Sequence, residues 1–144
     1  MSLLLVDTGN LYYCVTKRFP GKRIDYAKFL TADRAIAFVA ESNNDVEGFK
    51  AYLTELGYEV VSKRPQRKKV KGELIYQTSW AVEMTIAVSE YLRDAGDNNI
   101  TIGSSDIDLL PLLQWQKCHV YASGIPRVFK PIATCVEIDE DVLV

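Results

Sequence analysis

The sequence predicts a single three-layer α/β domain whose central, mainly parallel sheet of about five strands is flanked by helices. Short apolar runs such as Leu3-Leu4-Leu5-Val6 and Ala35-Ile36-Ala37-Phe38-Val39 show no polar alternation, as strands covered on both faces require. Amphipathic segments of about a dozen residues separate these runs, as crossover helices between parallel strands do. At 144 residues the chain suits one core, and it carries no internal repeat, low-complexity tract or linker.

The first strand, Leu3 to Val6, breaks into the turn-rich Asp7-Thr8-Gly9-Asn10, and Leu11-Tyr12-Tyr13-Cys14-Val15 enters a helix that Pro20-Gly21 ends. Asp25 to Leu30 reads as a short helix capped near Asp25. Arg34 to Ala40 is the second strand, closed by Ser42-Asn43-Asn44-Asp45, which also supplies an N-cap. Val46, Phe49, Leu53 and Leu56 recur at helical spacing until Gly57 stops them. Tyr58 to Ser62 is a third strand, followed by a basic loop. Trp80, Val82, Ile86, Ala87 and Tyr91 mark a long helix from about Thr78 to Arg93, ended by Asp94-Ala95-Gly96-Asp97. Ile100-Thr101-Ile102 is the fourth strand, and the helix after it runs to about Lys117. His119 to Ala122 is the fifth strand, and Cys135 to Ile138 is a candidate for a last one.

The 48% hydrophobic and 25% charged residues are ordinary for a soluble globular chain. Cys14, Cys118 and Cys135 show no CxxC spacing, which argues against a disulfide framework or a zinc site and for a reducing, cytoplasmic setting. The opening apolar run meets Asp7 too soon for a signal peptide, and no run approaches the roughly 18 apolar residues of a membrane helix. Net charge is -2, yet Lys63, Arg64, Arg67, Lys68, Lys69 and Lys71 put six of the 17 basic residues into one short acid-free segment. Such a run is either a solvated loop or a contact for a phosphate backbone.

Several site types are absent. No GxGxxG follows the first strand, no GxxxxGK[ST] occurs, and Gly103-Ser104-Ser105 lacks the flanking glycine of a nucleophile elbow. His119 opens a strand with no nucleophile partner and reads as structural. The carboxylates say more. Asp7 ends the first strand, and Asp106 and Asp108 follow the fourth; in a doubly wound sheet these ends are neighbours where strand order reverses. Like charges held that close resist ionising together unless a cation lies between them, and Mg²⁺ suits a few carboxylate oxygens and retained waters.

The competing reading is helix capping, since Ser105-x-x-Asp108 resembles a capping box. Pro111 bears on it, because proline is comfortable only in the first helical turn. Asp108 as N-cap makes Pro111 the third helical residue, whereas Ser105 would make it the sixth. The expectation is Asp108 at the helix start and Asp106 free in the loop.

Leu4-Leu5-Val6-Asp7-Thr8-Gly9-Asn10-Leu11 resembles the hydrophobic-Asp-x-x-Asn-hydrophobic opening of NYN domains, a branch of the PIN-like nuclease superfamily. Ser104-Ser105-Asp106-Ile107-Asp108-Leu109-Leu110-Pro111-Leu112 resembles that family's Ser-Gly-Asp-x-Asp-Phe-x-Pro-Leu motif. Glu83-Met84-Thr85-Ile86-Ala87-Val88 and the passage from Phe49 through Gly57-Tyr58-Glu59-Val60 are similar to two further family segments. The resemblance spans Leu3 to Ala122. It implies a PIN-like fold and a divalent-metal site that cleaves phosphodiesters, usually in RNA. Asp7, Glu83, Asp106 and Asp108 would then be the acidic cluster, Asn10 would orient a metal-bound water or the scissile phosphate, and Ser104 would support the loop. The chain departs from the pattern at Glu83 (usually Asp), Ser89 (a further Asp), Ser105 (glycine) and Leu109 (phenylalanine).

The leading expectation is a ribonuclease that uses Mg²⁺ or Mn²⁺ on the carboxylates at the ends of strands one and four. RNA would lie along Lys63, Arg64, Arg67, Lys68, Lys69 and Lys71. The substitutions at Ser89 and Ser105 motivate the alternative, a catalytically weak or inactive PIN-like module that binds RNA or protein. A homo-oligomer or a regulatory protein partner is compatible with either, and no membrane is implied. A phosphatase with an aspartyl nucleophile is disfavoured, because Gly9 holds the second position of its Asp-x-Asp motif.

Overall fold

Strand β1 (Leu3–Asp7) is buried along its whole length and forms the middle of the protein. The structure is a computed structural model that describes residues 1–42 and 45–144, with the side chains of Lys68, Ile75, Tyr76 and Gln77 outside the described set. Parallel to β1 lie β2 (Arg34–Ala40) on one side and β6 (Ile100–Gly103) on the other, with Val6 opposite both Ala37 and Gly103. Beyond them are β3 (Glu59–Lys63), β7 (His119–Ala122) and β8 (Thr134–Glu137). The six-stranded parallel sheet has the order β3-β2-β1-β6-β7-β8. Its order reverses between β1 and β6, where the connections leave toward opposite faces and open a crevice at the strand ends.

Helices α1 (Thr8–Arg18), α2 (Tyr26–Phe29), α3 (Val46–Leu56), α4 (Ala81–Ala95) and α5 (Leu110–Trp115) complete the layers. Their ends follow local chemistry. Asp25 accepts from the N–H groups of Ala27 and Lys28, Asp45 accepts from that of Gly48, and Gly57 closes α3 at φ 109, a left-handed conformation open to glycine. Asn43 and Asn44 of the predicted cap cluster lie outside the described residues. The core is aliphatic around β1, with Phe29, Phe38 and Phe129 fully enclosed. A Cβ on Gly103 would meet the Phe29 ring at 3.2 Å, so the absence of a side chain at the end of β6 seats that ring.

Two expectations are corrected. The basic segment is no loop: after β3 takes up Lys63, β4 (Gln66–Val70) and β5 (Glu73–Gln77) form a separate antiparallel hairpin. Its two-residue turn, Lys71-Gly72, has positive φ at both positions (51° and 81°), the geometry that matches strand twist in tight hairpins. Nor does Asp108 start the helix with Asp106 free. A single 3₁₀ turn, Ile107–Leu109, precedes α5, and Asp106 caps it by accepting the N–H of Asp108 at 3.0 Å. Pro111 then falls at the start of α5, where its missing N–H has no partner to lose. Among the described residues, no helix is long and apolar enough to cross a membrane.

Candidate functional site

An open cleft of about 370 Å³ occupies the crevice between β1 and β6. Asp7, Gly9, Asn10 and Tyr13 line it from the β1–α1 junction and Asp106 from the loop after β6, with Ala40, Thr78 and Trp80 across from them.

Asp7 is both the last residue of β1 and the N-cap of α1, so backbone geometry alone aims its carboxylate at the strand ends. One oxygen, Oδ1, accepts from the Asn10 N–H at 3.1 Å; the other, Oδ2, accepts from the Ser104 hydroxyl at 3.3 Å. Only 5% of Asp7 is exposed. Burial therefore pushes its pKa up to about 6, the Asp106 carboxylate pushes in the same direction, and the hydrogen bonds from Asn10 and Ser104 offset part of the rise. Asp106 is also raised, first by desolvation and then by the neighbouring Asp108 charge.

Ser104 ties the two acids together. Its fully buried hydroxyl donates to Asp7 and accepts the Asp106 N–H at 3.2 Å. Asn10 performs the reciprocal function from α1: its carboxamide oxygen accepts from both the N–H (2.9 Å) and the hydroxyl (3.1 Å) of Ser105. Ser105, which replaces the motif glycine, thus locks the loop to α1. Its hydroxyl also lies 3.4 Å from Cys14 Sγ. The Asn10 NH₂ group makes no hydrogen bond among the described residues and remains as a donor at the cleft.

The other two predicted acids are placed differently. The side chain of Asp108 is exposed and lies outside the cleft lining. Glu83, in the first turn of α4, is paired with Lys63, whose Nζ donates to Glu83 Oε2 at 2.5 Å and to the Ser79 carbonyl at 2.6 Å. The same ammonium stands 4.4 Å from the Trp80 ring centroid. Among the described residues, no group of three or more His, Cys, Asp or Glu side chains is arranged to hold a metal ion. The structure brings together Asp7, Asn10, Ser104 and Asp106, and leaves Glu83 with Lys63.

Of the predicted RNA contacts, Arg64, Arg67, Lys69 and Lys71 are exposed, Lys63 is half-buried, and the side chain of Lys68 lies outside the described residues. The hairpin that carries most of them returns through Thr78 to Trp80, so its base forms one rim of the cleft. Sequence reasoning did not identify Thr78 or Trp80 as lining residues. Their sole local signal is position, immediately before a helix whose first turn carries a motif acid.

Two oxygen-rich carboxylates facing one open cleft fit a hard divalent cation of the Mg²⁺ kind, which takes one or two carboxylates and completes its shell with water and substrate phosphate. They do not form a closed cage.

A family model described as the NYN domain matches residues 2–135. The crystal structure of a protein of unknown function from Vibrio parahaemolyticus RIMD 2210633 is similar to this chain at a TM-score of 0.79 and 25% sequence identity, covering 99% of this chain and 94% of that one. No curated protein matches the chain.

Proposed function

The chain belongs to the NYN domain family, of the PIN-like nuclease superfamily, and from that premise we propose that it is a metal-dependent ribonuclease acting in the cleft between β1 and β6. One observation carries the reading: Asp7 and Asp106, distant in sequence, share that cleft at the cost of a carboxyl group held near pKa 6. A buried acid so perturbed is a poor structural choice and a good ligand or proton acceptor.

Asp7 and Asp106 would hold Mg²⁺ or Mn²⁺, which when bound orients a water and stabilises charge on a phosphoryl group. The chain's own groups do the positioning. Ser104 sets the separation of the two acids, and the Asp108 N–H orients Asp106. Asn10 cannot ligate a cation through its NH₂, so that group is a donor for a phosphate oxygen. Exposed Tyr13 offers an aromatic face at the cleft mouth for an unpaired base. Three free cysteines suit a reducing, cytoplasmic setting.

The hairpin supplies the backbone contact. Arg67 and Lys69 are alternate residues of β4 and therefore share a face, with Lys71 at the turn. Replacing all three by alanine should weaken single-stranded RNA binding and flatten its salt dependence, by about 0.7 in the log–log slope for each phosphate no longer neutralised. An unchanged slope in fluorescence anisotropy titrations would take the hairpin out of the interface.

The direct test is RNA incubated with purified protein and Mg²⁺ or Mn²⁺. Scission should stop with EDTA and return when metal is restored. Scission indifferent to chelation would overturn the metal reading. A second reading, RNA binding without catalysis, is favoured by the pairing of Glu83 with Lys63, and RNA binding without scission under all metal conditions would establish it.

A further inference from the structure

We infer that Lys63 is a resident cation packed on the cleft wall and Glu83 its counter-ion, so that the site takes one divalent ion on Asp7 and Asp106 and Glu83 is not among its ligands. The inference rests on the metal-site reading above and deepens it.

Lys63 ends β3 directly opposite Ala40 of β2, and Ala40 lines the cleft. From there its ammonium is fixed on three sides: the Glu83 carboxylate at 2.5 Å, the Ser79 carbonyl at 2.6 Å and the Trp80 ring at 4.4 Å. An ammonium has three donors and no acceptor, so two oxygens and a ring face occupy it fully. The partners are only 33% and 29% exposed, which shields the pair from water and strengthens it over a surface salt bridge. Trp80 is itself a lining residue with 2% exposure, so the ammonium packs on a residue of the cleft wall, while Lys63 and Glu83 themselves lie outside the lining.

Two consequences follow for a metal ion. To ligate Glu83, it must separate an ion pair that is two-thirds buried and leave the ammonium unpaired beside a second positive charge. To ligate Asp7 and Asp106, it breaks no ion pair, and it places a cation between two carboxylates that line one cleft. The first route is unfavourable and the second favourable. The four-carboxylate cluster implied by the motif thus becomes a two-carboxylate site, with the Lys63 ammonium on the Trp80 ring as a built-in positive charge.

Mn²⁺ titration followed by calorimetry and electron paramagnetic resonance tests this on the full chain. Wild type should bind one Mn²⁺. Glu83→Gln should still bind one, with affinity changed by no more than about threefold, the screened effect of one uncompensated charge nearby. Lys63→Met should free Glu83 and either tighten Mn²⁺ binding by about tenfold or add a second ion, a change of the size that neighbours of a metal site produce. Glu83→Gln is decisive without the lysine variant should Lys63→Met not fold. Two ions in wild type, or a loss of affinity in Glu83→Gln as large as in Asp106→Asn, would overturn the inference and leave the metal site standing. No Mn²⁺ binding by wild type would overturn both.

Discussion

Asp7→Asn should make the protein more stable at pH 7.5 in the presence of a chelator, and the gain should disappear below pH 4. Burial raises the Asp7 pKa from 3.8 to about 6, so the folded state holds this proton more tightly than the unfolded chain does. Ionisation then costs the fold nothing below the unfolded value, an increasing amount as pH rises from about 4 to 6, and the full difference above that. Two units correspond to about 2–3 kcal/mol, or a rise in Tm of several degrees for a domain of this size. Asparagine keeps an oxygen for the Asn10 N–H, so the cap of α1 survives the change. Mn²⁺ should reverse the ranking, because ligand at a hundred times its Kd stabilises the wild type by about 2.7 kcal/mol and the variant has no such site. Thermal melts across pH 4–8, with EDTA and with Mn²⁺, measure both effects. A variant less stable than wild type in EDTA at neutral pH would show that burial of this carboxylate is compensated by some other contact.

The second large effect concerns activity with the fold left intact. Asp106→Asn should lower metal-dependent RNA cleavage by about 10³-fold or more, equivalent to about 4 kcal/mol in the barrier. The substitution preserves the Oδ1 acceptor for the Asp108 N–H, and with it the 3₁₀ turn ahead of α5, so melting and far-UV circular dichroism should remain close to wild type. It should also let Asp7 titrate lower, since the Asp106 charge is one of the causes that raise it. Undiminished cleavage by well-folded Asp106→Asn would remove this residue from the chemistry.

The uninterrupted apolar strands were legible because a parallel strand covered on both faces must be apolar at consecutive positions. Asp25, Asp45 and Gly57 announced their helix ends because capping is decided within three or four residues. The hairpin was not legible from its body. Lysine and arginine carry little strand preference, and Gln66-Arg67-Lys68-Lys69-Val70 shows no alternation that separates a buried face from a wet one. The informative signal was the turn, where Lys71-Gly72 places glycine at the second position of a two-residue loop. The helix start was misplaced for a related reason. Pro111 limits where α5 can begin, and both a direct cap at Asp108 and an inserted 3₁₀ turn satisfy that limit.

The acids show the same division between local and distant causes. Asp7 and Asp106 could be paired in advance because strand order in doubly wound sheets has few solutions, and the observed order makes β1 and β6 neighbours. Glu83 could not be assigned to Lys63, since that contact depends on a hairpin folding between them and on Trp80 lying under the ammonium.

The sequence by itself determined which segments are buried, where most helices end and which acids lie at strand ends, because these follow from spacing and capping within a few residues. Tertiary structure alone decided which acids stay out of the cleft, which one is paired with a lysine and which has its pKa raised by burial. Charge on a carboxylate is set by the water removed from it and the charges brought beside it, and both depend on residues far away in the chain.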